Sequence, residues 1–130
     1  MTNLLLDTHA LLWYVENDPT MRRTALEAIN DPQNEVFVSA VTAFEIAVKV
    51  KLGKMPAPPD VGTWLPQQLA INDMTPLPVT LAHAAGVDEL PLHHADPFDR
   101  LLIAQARAER MTIVTRDPRI QRYEVRLLRC

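Results

Sequence analysis

Residues 96–115 run Asp96-Pro97-Phe98-Asp99-Arg100-Leu101-Leu102-Ile103-Ala104-Gln105-Ala106-Arg107-Ala108-Glu109-Arg110-Met111-Thr112-Ile113-Val114-Thr115, a helix that leads at once into a strand. Asp96 has the character of an N-cap. Pro97 suits the first helical position, where a missing N–H leaves no helical bond unmade. Asp99 heads a stripe of Leu102, Ile103 and Ala106, so this acid is expected to face inward as the helix runs to Arg110. Thr112–Thr115 then has the β-branched, apolar character of a short strand.

The same alternation extends in both directions. Asn3–Leu6 is expected to be a buried strand ending at Asp7, followed by a helix from Thr8 to Glu16 and another from Thr20 to Asn30. Val36–Val38 is a short strand, and Ser39 caps a helix reaching about Leu52, closed by Gly53. Met55–Pro59 (MPAPP) is a loop, too short to separate domains. A helix over Val61–Asn72, a strand at Pro76–Val79, a helix over Leu81–Asp88 and a last strand at Glu124–Leu128 complete the pattern. Alternating strands and helices predict an α/β fold with a parallel sheet and helices on both faces. Right-handed crossovers would set the carboxyl ends of the strands along one rim.

The composition fits one domain spanning residues 1–130, large enough for a real core. Cys130 is the only cysteine, which excludes a disulfide framework or a cysteine zinc site and suits a reducing, cytoplasmic setting. At the extreme C-terminus it is expected to fray. The apolar run Leu4–Val15 contains Asp7 and His9, is too short for a membrane span and lacks a basic leader. Net charge is −3, yet Arg100–Cys130 carries eight Lys/Arg against three Asp/Glu. A basic third of this kind can attract phosphates although the whole chain is acidic.

Four acids fall where the rim is expected. Asp7 ends the first strand, Asp117 follows the Thr112–Thr115 strand by two residues, and Asp99 lies in the first turn of its helix. Glu45 lies among Val41, Phe44, Val48 and Leu52, the apolar stripe expected to face inward, where a carboxylate needs a partner. Each has a plainer reading. Asp7 could cap the next helix, Glu45 could pair with Lys49 at i,i+4, and Asp117, before Pro118, could close a turn. Asp96 is better explained as a cap than as a ligand. Two carboxylates about 5 Å apart repel by roughly 3 kcal/mol at an effective dielectric near 20, so four together call for protons or a cation. All-oxygen ligands suit Mg²⁺, with Mn²⁺ as a substitute. The histidines form no zinc set: His9, His83, His93 and His94 suit loop or packing roles, although His9 and His94 could touch a substrate.

Leu4-Leu5-Leu6-Asp7-Thr8-His9-Ala10-Leu11-Leu12-Trp13 resembles the opening of a PIN domain of the VapC type, found as the toxin in type II toxin–antitoxin pairs. The likeness continues through Ser39-Ala40-Val41-Thr42-Ala43-Phe44-Glu45-Ile46-Ala47 and His93 to Ala106, and closes on Thr112-Ile113-Val114-Thr115-Arg116-Asp117. The resemblance implies a three-layer α/β/α sandwich with a short parallel sheet. It also implies Mg²⁺-dependent endoribonuclease activity leaving 5′-phosphate and 3′-hydroxyl ends, a homodimer, and a cognate VapB-type antitoxin. Asp7, Glu45, Asp99 and Asp117 match the four catalytic acids of the family.

The expected chemistry is hydrolysis of RNA phosphodiester bonds. Asp7 and Asp99 would hold the metal directly, with Glu45 and Asp117 secondary, completing its shell through water or holding a second ion, and one of the latter two would orient the attacking water. Arg116, Arg119 and Arg122 are candidates for gripping the RNA backbone, with Arg100 a further one. The alternative is a PIN-fold module that binds RNA or protein with little catalysis. A phosphatase of the aspartyl-phosphate type is disfavoured, because Asp7 is followed by Thr8 and His9 instead of opening a DxD.

Overall fold

The computed structural model describes residues 1–56 and 60–130. Five short strands, β1 (Asn3–Leu6), β2 (Glu35–Ser39), β3 (Thr75–Leu77), β4 (Thr112–Thr115) and β5 (Arg126–Arg129), form one sheet in the order β3-β2-β1-β4-β5. Every pairing is parallel, with Leu5 opposite Phe37 on one side and Ile113 on the other. The helices are α1 (Thr8–Val15), α2 (Arg23–Asn30), α3 (Ala40–Lys51), α4 (Val61–Ile71), α5 (Leu81–Gly86) and α6 (Pro97–Glu109).

Strand alternation divides the core into two layers. Leu4, Leu6, Val36, Val38 and Val114 point to one face, where they pack with residues of α1, α2 and α4. Leu5 and Ile113 point to the other, against Leu102, Ile103 and Ala106 of α6. Because both sheet faces are covered, the strands carry near-continuous apolar runs, as a parallel sheet requires. The α/β/α sandwich follows from that two-sided burial.

Several boundaries move for local reasons. α2 starts at Arg23, not Thr20, because Asp18 accepts both the backbone N–H and the hydroxyl of Thr20 (2.8 and 2.6 Å) and holds a separate turn. The last strand begins two residues later than its sequence pattern suggests, after a 3-10 turn at Ile120–Arg122. α5 stops at Gly86 and continues as a 3-10 turn over Val87–Glu89. Ser39 caps α3 by accepting the Val41 N–H at 3.0 Å, and Gly53 takes φ +71° beyond its end. Of the proline-rich stretch Met55–Pro59, residues 57–59 lie outside the described residues.

Cys130 does not fray. Its N–H donates to the Thr115 carbonyl at 3.1 Å, extending the β4–β5 ladder, and its side chain is buried in the core. Burial pushes its thiol up to about 11. Among the described residues no helix is long and apolar enough to cross a membrane.

Candidate active site

The carboxyl ends of β1 and β4 and the first turns of α1 and α6 converge on one open cleft of about 510 Å³. Five carboxylates line it: Asp7, Glu45, Asp96, Asp99 and Asp117. The four sequence candidates thus share one space, and Asp7, Glu45 and Asp117 also have the plainer roles that their sequence contexts suggested.

Asp7 follows β1 directly. One of its oxygens accepts the Ala10 N–H at 2.7 Å and caps α1, while the other accepts the Thr115 hydroxyl. Its backbone N–H donates to the Val114 carbonyl at 3.1 Å, which ties its position to the β1–β4 ladder. Burial raises its carboxyl above the usual value, and the bonds from Thr115 and Ala10 work against that rise.

Glu45 is only 3% exposed, though the face of α3 that buries it differs from the expected one. Val41, Thr42, Glu45 and Ile46 point inward, whereas Phe44 and Leu52 are 62% and 63% exposed. Apolar periodicity missed the rotation because the buried face includes a threonine and the acid itself. Thr8 donates its hydroxyl to Glu45 Oε1 at 2.5 Å, and Lys49 Nζ meets the other oxygen. Burial alone would lower the Lys49 ammonium, but the Glu45 carboxylate outweighs it and holds the ammonium above its ordinary value.

Asp99 meets an unexpected partner. His94 Nε2 lies 2.7 Å from Asp99 Oδ2 and 3.8 Å from Asp117 Oδ2. His94 is buried, and its N–H donates to the Tyr123 hydroxyl at 2.9 Å. Burial, with the Asp96 and Glu45 charges beside it, raises Asp99 to about 6, and the His94 bond opposes the shift. Asp96 caps α6 through the N–H groups of Phe98 and Asp99, at 2.8 and 3.2 Å.

Asp117 closes a turn with Arg119, accepting its N–H at 2.8 Å and its guanidinium at 3.1 and 3.2 Å. Burial pushes this carboxyl up, yet the Arg119 bonds prevail and hold it below the usual range.

The arginines separate by position. Arg116 and Arg119 line the cleft, whereas Arg122 is exposed on the 3-10 turn and is not among its lining residues. Arg100 donates to the carbonyls of Val87, Leu90, Pro91 and His94 and to the Tyr123 hydroxyl, so it braces the loop that carries His94.

Carboxylate oxygens on a shared, partly buried cleft suit a hard divalent cation. The compact group is His94, Asp99 and Asp117, whose candidate ligand atoms all lie within 4.8 Å of one another. Asp7 and Glu45 belong to the same cleft but not to that compact group. Sequence reasoning missed Thr8, Thr115 and His94 as partners of these acids. The available signal was position: Thr8 follows Asp7, Thr115 ends the strand before Asp117, and His94 lies two residues before the α6 cap.

A wholly parallel sheet with a carboxylate cleft on its rim defines an α/β protein whose clustered acids have the chemistry to hold a metal ion. The PIN domain profile matches residues 4–125, and the chain belongs to the PIN domain family. Ribonuclease VapC22 of Mycobacterium tuberculosis is 32% identical over 124 residues, covering 95% of this chain and 93% of that protein. Ribonuclease VapC16 of the same organism is 34% identical over 70 residues, covering 48% of this chain and 50% of that protein. Among solved structures, VapBC2 from Rickettsia felis bound to a promoter DNA fragment aligns with TM-score 0.71 at 18% identity, covering 98% of each chain. VapBC-5 from Mycobacterium tuberculosis, of the VapBC toxin–antitoxin family, aligns with TM-score 0.64 at 21% identity over 100% of both chains.

Proposed function

We propose that the chain, acting as a single PIN domain over residues 1–130, is a Mg²⁺-dependent endoribonuclease and the toxin of a toxin–antitoxin pair. The observation that carries this reading is the convergence of Asp7, Glu45, Asp99 and Asp117, from four separate segments, on one open cleft. The similarity to VapC22 over nearly the whole chain supports RNA as the substrate.

Asp7 and Asp99 are assigned as the direct cation ligands, with Mg²⁺ preferred and Mn²⁺ as substitute. Glu45 and Asp117 would complete the cation's shell through water or hold a second ion. A divalent cation bound there lowers the pKa of a water molecule and stabilises charge on the scissile phosphate. The protein's own contribution is orientation. Thr115 and the Ala10 N–H hold the Asp7 carboxylate, Thr8 holds Glu45, and His94 holds Asp99. Such partners fix ligand geometry before substrate arrives. Lys49 offsets part of the clustered negative charge.

A second large cavity, an apolar groove of about 920 Å³ between α3, α4 and β3, lies away from the acids. Its lining includes the exposed Phe44 together with Leu65, Leu69 and Met74. The VapBC toxin–antitoxin structures among the neighbours support a VapB-type antitoxin as the partner, and we place an apolar segment of it along this groove. A homodimer in the cytoplasm completes the reading, and light scattering of the purified chain checks the dimer.

Incubating the purified chain with RNA in Mg²⁺ and in EDTA tests the activity. Cleavage in Mg²⁺ alone is expected, with Asp7→Asn and Asp99→Asn inactive but folded. RNA left intact under both conditions would favour a PIN-fold module that binds RNA or protein with little catalysis.

A further inference from the structure

One wall of the acidic cleft carries no acid. It is formed by His9, Trp13, Arg116 and Pro118, and it faces the same open space as Asp7 and Asp99. His9 and Trp13 lie one helical turn apart on α1, with ring centroids 5.6 Å apart and planes tilted by 41°. The Arg116 guanidinium lies over the Trp13 ring, 3.8 Å from its centroid.

Arg116 is less free to grip a phosphate, because three of its five N–H donors are already engaged. Nη1 donates to the Thr20 hydroxyl at 3.2 Å, and Nη2 donates to the Thr20 carbonyl at 3.2 Å and to the Cys130 carbonyl at 2.9 Å. Those bonds fix the plane of the guanidinium, and Trp13 covers one side of it. The residue as a whole remains exposed, as does His9. A fixed, flat, partly solvated cation beside an exposed imidazole offers a stacking surface in place of a salt bridge. Unpaired RNA bases stack on aromatic rings and on arginine planes, whereas bases inside a duplex have no free face to offer.

We propose that His9, Trp13 and Arg116 form a nucleobase-stacking wall that seats an unpaired base next to the scissile phosphate. This rests on the endoribonuclease reading and adds the residues that hold the substrate's base.

Binding separates the two claims. In EDTA, where no turnover is expected, fluorescence anisotropy compares labelled octaadenylate with a fully abasic ribose-phosphate octamer of the same charge. Octaadenylate should bind about tenfold more tightly, within the range for stacking of a base on aromatic groups. His9→Ala, which alters an exposed side chain, and Arg116→Lys, which keeps the charge but loses the plane, should each reduce that ratio at least about threefold. In a Trp64→Phe background, octaadenylate should also quench the fluorescence of Trp13, and the abasic octamer should not. Circular dichroism melts of each variant confirm folding. The wall is overturned if both octamers bind the native chain equally. It is equally overturned if the variants weaken both octamers by the same factor, which would be an effect of charge alone. Failure of the endoribonuclease reading would show separately, as octaadenylate and longer RNA left intact by the native chain in Mg²⁺.

Discussion

The two halves of the acidic cleft are built differently. Asp7 and Glu45 are 6% and 3% exposed, and each is held by a threonine hydroxyl from a neighbouring segment. Asp99 and Asp117 stand closer to solvent and are held by side chains from short loops, His94 and Arg119. The inner half is fixed by the sheet itself, because Asp7 continues β1 and Thr115 ends β4. The outer half depends on the loop before α6 and the turn after β4. Disturbing what holds the inner acids should therefore cost stability as well as function, whereas disturbing what holds the outer ones should cost mainly function.

The largest expected effect erases the contrast. Asp7→Asn and Asp99→Asn should each lower Mg²⁺-dependent RNA cleavage by at least about 100-fold, since even partners of ligands commonly cost 10–100-fold. Single-turnover cleavage assays check this, and a native rate in either variant would break the assignment of both halves to one centre.

The next test separates the halves by changing the partners and leaving the acids alone. Thr115→Val leaves a buried Asp7 oxygen without its donor and should destabilise the fold by about 1–3 kcal/mol, measured by urea denaturation. His94→Ala should leave stability closer to native while weakening activity by about 10–100-fold. Equal stability losses in the two variants would remove the distinction between inner and outer halves.

A smaller effect appears in pH. Asp99 titrates at about 6, and burial raises Asp7 as well, so the folded chain keeps protons that the unfolded chain has already released. Stability contributed by these groups is complete below the unfolded carboxylate value, about pH 4, and is lost as pH rises through about 6. Without divalent cation, the melting temperature should be several degrees (about 5 °C) lower at pH 7.5 than at pH 5. Asp99→Asn should shrink that difference. Mg²⁺ should raise the melting temperature at pH 7.5 more than at pH 5, where protons compete for the acids.

The smallest effect concerns Arg119, which is exposed where it pairs with Asp117. Arg119→Ala should leave the melting temperature unchanged, because exposed ion pairs contribute little. The Asp117 carboxyl should titrate closer to its ordinary value, which carbon-detected NMR can follow.

Most of the layer order was legible before any coordinates. The Asp96-Pro97 start of α6, the Ser39 cap of α3 and the apolar strands each carry a local signal, and local signals survive folding. The face of α3 was less legible. Phe44 appeared to belong to the core, yet the buried face instead carries Thr42 and Glu45, whose hydrogen bonds with Thr8 exist only when α1 packs beside α3. Arg116 shows the same limit. As a sequence it is a cation next to an acid, while in the fold three of its donors are taken by Thr20 and the Cys130 carbonyl.

By itself, then, the sequence determined the α/β alternation and the helix caps and singled out the four acids that line one cleft, because periodicity and capping act over a few residues. Only the tertiary structure decided which distant partners orient these acids. Asp7 with Thr115, Glu45 with Thr8 and the Trp13–Arg116 wall each join residues from separate segments, brought together by the parallel sheet and its crossovers. Asp99 and Asp117 meet at His94 for the same reason, since β4 returns from α6 to the rim where that helix began. Contacts across such sequence distances carry no periodic signature, so they become visible only once the chain has closed on itself.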